Sequence, residues 1–252
     1  MKNSLRQAAV LLVILATIAV NVLANALPIN GLNTGQISDG FDVLFVPAGY
    51  VFSIWGLIYL GLIAHAIYQA LPAQRDNPRL QATGWWVVLG GLANSAWIFL
   101  WHYEQFVGTL GAMLILLATL ITVTLRLGTG LTKVSIAETW MVRVPFSIYL
   151  GWISVATIAN VSDVLDFVGW NQFGLSDGIW LLVVLAAVLV IATLMSLRHR
   201  DAAYILVILW ALVGIANKFA ATQSVWLPAL VTAALVAAGL VFALLRKGPR
   251  KA

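Results

Sequence analysis

Three groups of aromatic and amide side chains hold the chemistry that this sequence offers. Asn94, Trp97 and Trp101 recur at i, i+3 and i+7, so on a helix they share one stripe. Tyr149, Trp152, Ala156 and Asn160 share another. Tyr50, Trp55 and Tyr59 mark the start of a third helix, where Trp55 and Tyr59, four apart, lie on one face. Indoles pack against flat conjugated rings and donate one N–H, while amides both donate and accept. Ala156 leaves room for a flat ligand or a closely packed helix. Turned toward a common space, these ten residues would line a site for a large, planar, mostly apolar molecule. Two plainer readings stay open. Trp and Tyr near helix ends form interfacial belts in membranes, and Asn94 and Asn160 can hydrogen-bond between helices without any ligand.

Other chemistry is sparse. The 252 residues contain no cysteine, which excludes disulfide and thiolate chemistry. His65, His102 and His199 form no metal-binding pattern with one another or with carboxylates, so no metal is expected. His65, in mid-helix, reads as a packed or hydrogen-bonded residue or as an axial haem ligand, the first being the simpler. Glu138 and Arg143 read as anchors of a helix end rather than as catalysts. There is no glycine-rich phosphate loop, no Ser/His/Asp arrangement and no pair of carboxylates inside an apolar run. This argues against ATP-driven transport and a conventional hydrolase. It also weakens proton-coupled transport, which usually places an ionisable group at mid-depth.

Membrane helices must position these residues. The chain is 62% hydrophobic and 9% charged, against about 45–50% and about 25% in soluble domains. Runs long enough to cross about 30 Å of hydrocarbon fall at 5–27, 47–70, 85–102, 106–127, 140–160, 178–197, 202–220 and 226–245. Eight helices are therefore predicted, with breaks at Pro28 and Gly31, Pro72 and Pro78, Gly128 and Gly130, and Gly174 and Gly178. The short break at 102–105 makes the third and fourth a tight antiparallel hairpin. Pro47 suits a helix start because it has no N–H to leave unpaired, so the second helix is placed from there. The stretch 28–46 ahead of it is rich in Gly, Asn, Ser and Asp, which is turn chemistry. It reads as a lid over the helix mouth or as a plain connector.

The net charge of +5 follows this topology. With an inner N-terminus, twelve of the fourteen basic residues fall inside: Lys2, Arg6, Arg75, Arg79, Arg126, Lys133, Arg198, Arg200, Arg246, Lys247, Arg250 and Lys251. Arg143 and Lys218 are the exceptions, and Asp39, Asp42, Glu104, Asp163, Asp166 and Asp177 fall outside. The positive-inside rule then predicts an integral membrane protein, placed in a bacterial inner membrane, with both termini cytoplasmic and no nucleic-acid partner. Lys2, Arg6, the apolar run and Ala24-Asn25-Ala26 also imitate a cleavable signal peptide, but the run is longer than usual, which favours a retained helix.

Three motifs, in order, resemble the TspO/MBR family of tryptophan-rich sensory or translocator proteins. Pro47-Ala48-Gly49-Tyr50-Val51-Phe52-Ser53-Ile54-Trp55-Gly56-Leu57-Ile58-Tyr59 resembles the family's Pro-Pro-x-Trp-Val-Phe…Trp…Leu-Tyr at its second helix. Leu92-Ala93-Asn94-Ser95-Ala96-Trp97 resembles its Leu-x-Asn-x-x-Trp, and Trp152-x-x-x-Ala156-x-x-x-Asn160 its Trp-x-x-x-Ala/Thr-x-x-x-Asn. The likeness covers roughly residues 5–160. Tyr50 stands for the first tryptophan, one residue nearer to Trp55 than in the family. Ala48 stands for the second proline, and Pro145 lies a turn further from Trp152 than the family's proline. The resemblance implies a five-helix bundle that binds porphyrins, haem-type tetrapyrroles or sterol-like lipids under the loop between its first two helices. It matches Trp55, Asn94, Trp97, Trp152, Ala156 and Asn160 to pocket positions. Trp55 and Trp152 match the tryptophans linked to light-dependent porphyrin breakdown, so a catalytic role would fall to them. Porphyrin or haem would be a ligand; no resident cofactor is assigned.

The expected fold is all-α, a polytopic membrane bundle: a TspO-like five-helix domain over 1–165, then three further helices with a basic tail over 166–252. The three have no counterpart in five-helix members. One reading is that they cover a surface that shorter proteins use to dimerise; a homodimer is kept open. Three functions compete. The first is a receptor, sensor or carrier for a planar hydrophobic ligand. The second is an enzyme that degrades a tetrapyrrole. The third is a small-solute transporter or regulatory scaffold whose aromatics serve packing alone.

Overall fold

The computed structural model describes residues 2–27 and 29–246. Pro28, and Lys247, Arg250 and Lys251 of the basic tail, lie outside the described residues. The described chain forms eight apolar helices: α1 (Lys2–Ala26), α2 (Ile54–Ala70), α3 (Pro78–His102), α4 (Phe106–Leu127), α5 (Val144–Phe167), α6 (Asp177–His199), α7 (Ala202–Lys218) and α8 (Gln223–Leu245). Seven, counting the turns that lead into α2 and α5, are long and apolar enough to cross a membrane. The other, α7, has 17 residues.

Local chemistry moves some helix ends away from the hydropathy limits. α3 begins at Pro78 rather than at 85, because Asn77 accepts from the N–H groups of Arg79 and Leu80 and Pro78 fills the first turn. The path of α5 starts at Ile136, through a turn capped by Ser135 and a π-helical turn at Thr139–Arg143, and runs on to Phe167 rather than 160. The second helix does not start at Pro47. Ala48 is extended, Gly49–Ser53 is a 3-10 turn, and the α-helix proper begins at Ile54. The stretch before it holds a 3-10 turn at Ile29–Gly31 and a short helix, Thr34–Ser38, closed by a capping box between Asn33 and Gln36.

The first five helices close into a ring in the order α1, α3, α4, α5, α2. α7 packs on the outside of α5, and α8 covers α7 and α6. One buried core runs through all of them, from Val10 through Trp152 to Leu240. Small residues allow close approach without a hydrophobic drive between helices in lipid. A Cβ at Gly91 of α3 would lie 2.8 Å from Thr17 of α1, and one at Gly151 of α5 would lie 2.9 Å from the Tyr204 carbonyl of α7.

Lys218 lies at one end of the bundle, and the start of α1 shares the other with Arg6, Arg75, Arg79, Arg126, Arg143, Arg198 and Arg200. There Asn3 donates to Asp76 at 2.8 Å, and Arg79 Nε and Nη2 donate to Glu138 at 2.5 and 2.7 Å. Arg143 donates to the Leu127 carbonyl and to Thr132. Its sequence position suggested an exception to the charge pattern. It joins the other bases because the helical path of α5 starts a turn earlier than expected. Two turns also interlock here: Gly130, at φ 76°, lies against the His199 carbonyl, and His199 Nδ1 is 3.0 Å from the Thr129 carbonyl. In the next turn burial pushes the Asp201 carboxyl above the usual carboxylate range. The Ser147 hydroxyl, donating at 2.6 Å, opposes that rise.

Candidate functional site

At the opposite end, α1, the Thr34–Ser38 helix, the Gly49–Ser53 turn, α2 and α3 enclose a cleft of about 650 Å³. Phe52, Trp55, Tyr59, Trp97, Val22 and Ile98 form its apolar wall, and Asn21, Asn25, Asn33, Gln36 and Asp39 its polar margin. Trp55 stacks on Tyr59 with centroids 5.6 Å apart, as their spacing requires, and meets Tyr149 and Trp152 edge-on at 5.9 and 6.3 Å.

Tyr50, expected in this site, is not in it. A 3-10 turn advances about 120° per residue and an α-helix about 100°. From Tyr50 to Trp55 the chain therefore turns through about 560°, which leaves the two side chains about 200° apart. Tyr50 is 46% exposed and packs edge-on against Trp210 of α7 at 5.4 Å. From Phe52 to Trp55 the turn is about 320°, so Phe52 faces the cleft instead. Phe52 stands edge-on to Trp152 at 5.6 Å.

Behind the cleft lies a chamber of about 50 Å³. Thr34, Phe52 and Trp97 line both spaces and so form the partition between them. Trp101, Trp152, Ala156 and Asn160 close the chamber, together with Asp163. The structure thus divides the expected site residues. Trp55 and Tyr59 face the cleft, Trp97 faces both spaces, and Trp101, Trp152, Ala156 and Asn160 face the chamber. Trp97 stacks on Trp101 at 5.1 Å and donates to Asn160 Oδ1 at 3.4 Å, while the Asn160 amide donates to Thr109 at 2.9 Å.

Asn94 and Tyr149 line neither space. Asn21 donates to Asn94 Oδ1 at 2.6 Å, and the Asn94 amide donates to the Tyr149 hydroxyl at 2.9 Å. Three helices are joined by this chain of buried bonds, the interhelical role left open for Asn94. Asn21 was legible as a polar residue in an apolar run, since at membrane depth such a group needs a partner. His65 is buried elsewhere in α2, edge-on to Phe146 at 4.8 Å.

Residues 33–36 and Asp39 of the stretch 29–46 wall the cleft, and hydrogen bonds tie the stretch to the helices. Trp101 Nε1 donates to the Thr34 carbonyl at 3.2 Å, and the Asn30 amide donates to the His102 carbonyl at 3.2 Å. His102 Nδ1 lies 3.2 Å from the Ile29 carbonyl. A carbonyl only accepts, so Nδ1 carries the proton and Nε2 accepts from the Thr34 hydroxyl at 3.1 Å. α7 braces the same region. Lys218 donates to Asp39 at 2.6 Å, Trp210 Nε1 to the Val51 carbonyl at 3.1 Å, and the Ala48 N–H to the Gly214 carbonyl at 3.2 Å. A Cβ on Gly214 would fall 2.2 Å from Val51, so only glycine lets the 3-10 turn sit this close.

A family model described as TSPO-like protein matches residues 7–245. The chain belongs to the TSPO-like protein family. The match continues through α6, α7 and α8, so it includes the helices that brace the cleft. No curated protein and no solved structure matches the chain. With its apolar helices, this TSPO-like protein is an integral membrane protein of all-α fold.

Proposed function

We propose that this TSPO-like protein is a receptor, sensor or carrier that binds a flat, largely apolar molecule in the cleft between α1, α2 and α3. One observation supports this above all: Phe52, Trp55, Tyr59 and Trp97 converge on a single space of about 650 Å³, within the about 300–1,000 Å³ of small-molecule sites. Aromatic faces suit a tetrapyrrole or a sterol-like ring system, and the amides at the margin suit its polar edge. In this reading the first five helices are the binding unit and the three after about residue 165 are its brace. The basic end faces the cytoplasm of a bacterial inner membrane, and the cleft opens on the other side.

Protoporphyrin dimethyl ester carries no charge and so probes the ring alone. Titrated into the purified protein in detergent, it should shift its Soret band saturably. Trp97→Ala should weaken binding about thirtyfold, since losing a central aromatic anchor costs about 2 kcal/mol. Tyr50→Ala should bind as the unaltered chain does. No saturable shift, or equal affinity in Trp97→Ala, overturns the proposal.

The Trp55–Trp152 edge contact at 6.3 Å favours a second reading. Trp55 lines the cleft and Trp152 the chamber, and this is the pair the resemblance links to porphyrin breakdown. Bound porphyrin should then bleach under light and oxygen, faster than in Trp152→Phe. Equal bleaching rates, or none, remove the enzyme reading.

A further inference from the structure

We infer that the chamber behind the cleft is a subsite for a protonated nitrogen, anchored by Asp163, and hence that the ligand carries a cationic arm. This rests on the cleft reading above and narrows it.

Asp163 stands on α5 three residues after Asn160 and is 3% exposed. Its Oδ1 has no hydrogen-bond partner, and its carboxylate joins no ion pair among the described residues. Buried polar groups are normally bonded, and a buried carboxylate without a partner is costly. Such a group lining a chamber is a site that a donor on a ligand would complete.

The neighbours do not supply that donor. The Asn160 amide is given to Thr109, the Trp97 and Trp101 N–H groups to Asn160 and Thr34, and the Thr34 hydroxyl to His102. Ser38 and Trp152 also line the chamber but form no hydrogen bond with Asp163 Oδ1, so that oxygen stays unpartnered among indole rings, and both favour a cation. The chamber is about 50 Å³, and about 10–15 Å³ of such space holds one water. An ammonium group has room there. In this reading the ring lies in the larger cleft and the arm reaches the chamber past Phe52 and Trp97, which line both spaces.

The surrounding charge agrees. Asp39, Asp42, Glu104, Asp166 and Asp177 share this end with Asp163. Among the described residues Lys218 is the one Lys or Arg there, and it is committed to Asp39. A mouth of this sign draws in cations and repels carboxylates.

One macrocycle in three forms tests this on the full chain in detergent: protoporphyrin as its dimethyl ester, as the free dicarboxylate, and as the bis(2-aminoethyl) amide. The amide should bind about tenfold tighter than the ester, the range of a hydrogen bond to a charged group, and the dicarboxylate more weakly than the ester. Asp163→Asn should abolish the amide's advantage and keep the ester's affinity, which also reports a folded protein. Ala159→Leu, which fills the chamber from a lining position one turn earlier on α5 and leaves Asp163 in place, should do the same and stands in if Asp163→Asn does not fold. Equal binding of amide and ester, or an advantage that survives these substitutions, overturns the subsite but not the cleft. Binding of none of the three overturns both.

Discussion

Gly130→Ala lowers the stability of the bundle by about 3 kcal/mol, a large loss for one added methyl group. The new Cβ would lie 1.8 Å from the His199 carbonyl oxygen and 2.7 Å from its carbon. These are backbone atoms at the end of α6, followed by Arg200 at φ 50°, so no side chain can swing aside. The turn must withdraw, and the bond between His199 Nδ1 and the Thr129 carbonyl goes with it. The backbone at φ 76° adds strain of its own for any residue with a side chain. Gly128→Ala separates the two effects. It has a similar φ of 62°, but its nearest obstacle is the Thr132 side chain, so it should cost only about 1 kcal/mol. Denaturant unfolding followed by tryptophan fluorescence measures both. Equal midpoints for the two variants would refute the backbone clash.

Arg143→Met should cost about 2 kcal/mol, or about 4–8 °C in the thermal midpoint of a chain this size. The guanidinium donates at 2.6 Å to the Leu127 carbonyl and at 2.6 Å to the Thr132 hydroxyl, and also to the Thr132 carbonyl. Leu127 closes α4, where the last carbonyls have no helical partner and the helix dipole favours a cation. Methionine keeps the apolar stem but strips these acceptors of their donor. Lysine restores the charge without the planar fork, so Arg143→Lys should recover part of the loss. Both variants should bind protoporphyrin dimethyl ester normally, because Arg143 lies at the far end from the cleft. A thermal midpoint unchanged in Arg143→Met would show that the capping adds nothing.

What could be read in advance follows from how far each signal reaches along the chain. The helices were legible because burial in lipid leaves a long apolar run in the sequence, and the stripes of α3 and α5 because amides and indoles repeat at helical spacing. Those stripes do meet, through Asn94 with Tyr149 and Trp97 with Asn160. Tyr50 was misplaced because a 3-10 turn changes the angle per residue, and nothing in the composition of residues 49–53 marks that turn. Phe52 was passed over because one more phenylalanine in an apolar run is unremarkable. His102 looked like a boundary residue; its partners lie some seventy positions away, at Ile29 and Thr34. Asp163 was assigned to an outer segment because hydropathy ended the fifth span at 160, whereas the helix carries it on to Phe167. The brace supplied by α7 was invisible, since Trp210 and Gly214 are ordinary residues until Val51 is placed against them.

The 17 residues of α7 have a consequence outside the protein. At 1.5 Å per residue they span about 26 Å, short of the about 30 Å of a typical hydrocarbon layer. Leu206, Trp210 and Val213 are exposed on its outer face, between Asp201 at one end and Lys218 at the other. Acyl chains beside that face would have to shorten to match it, so a bilayer of shorter-chain lipids should hold this molecule with less distortion than a thick one.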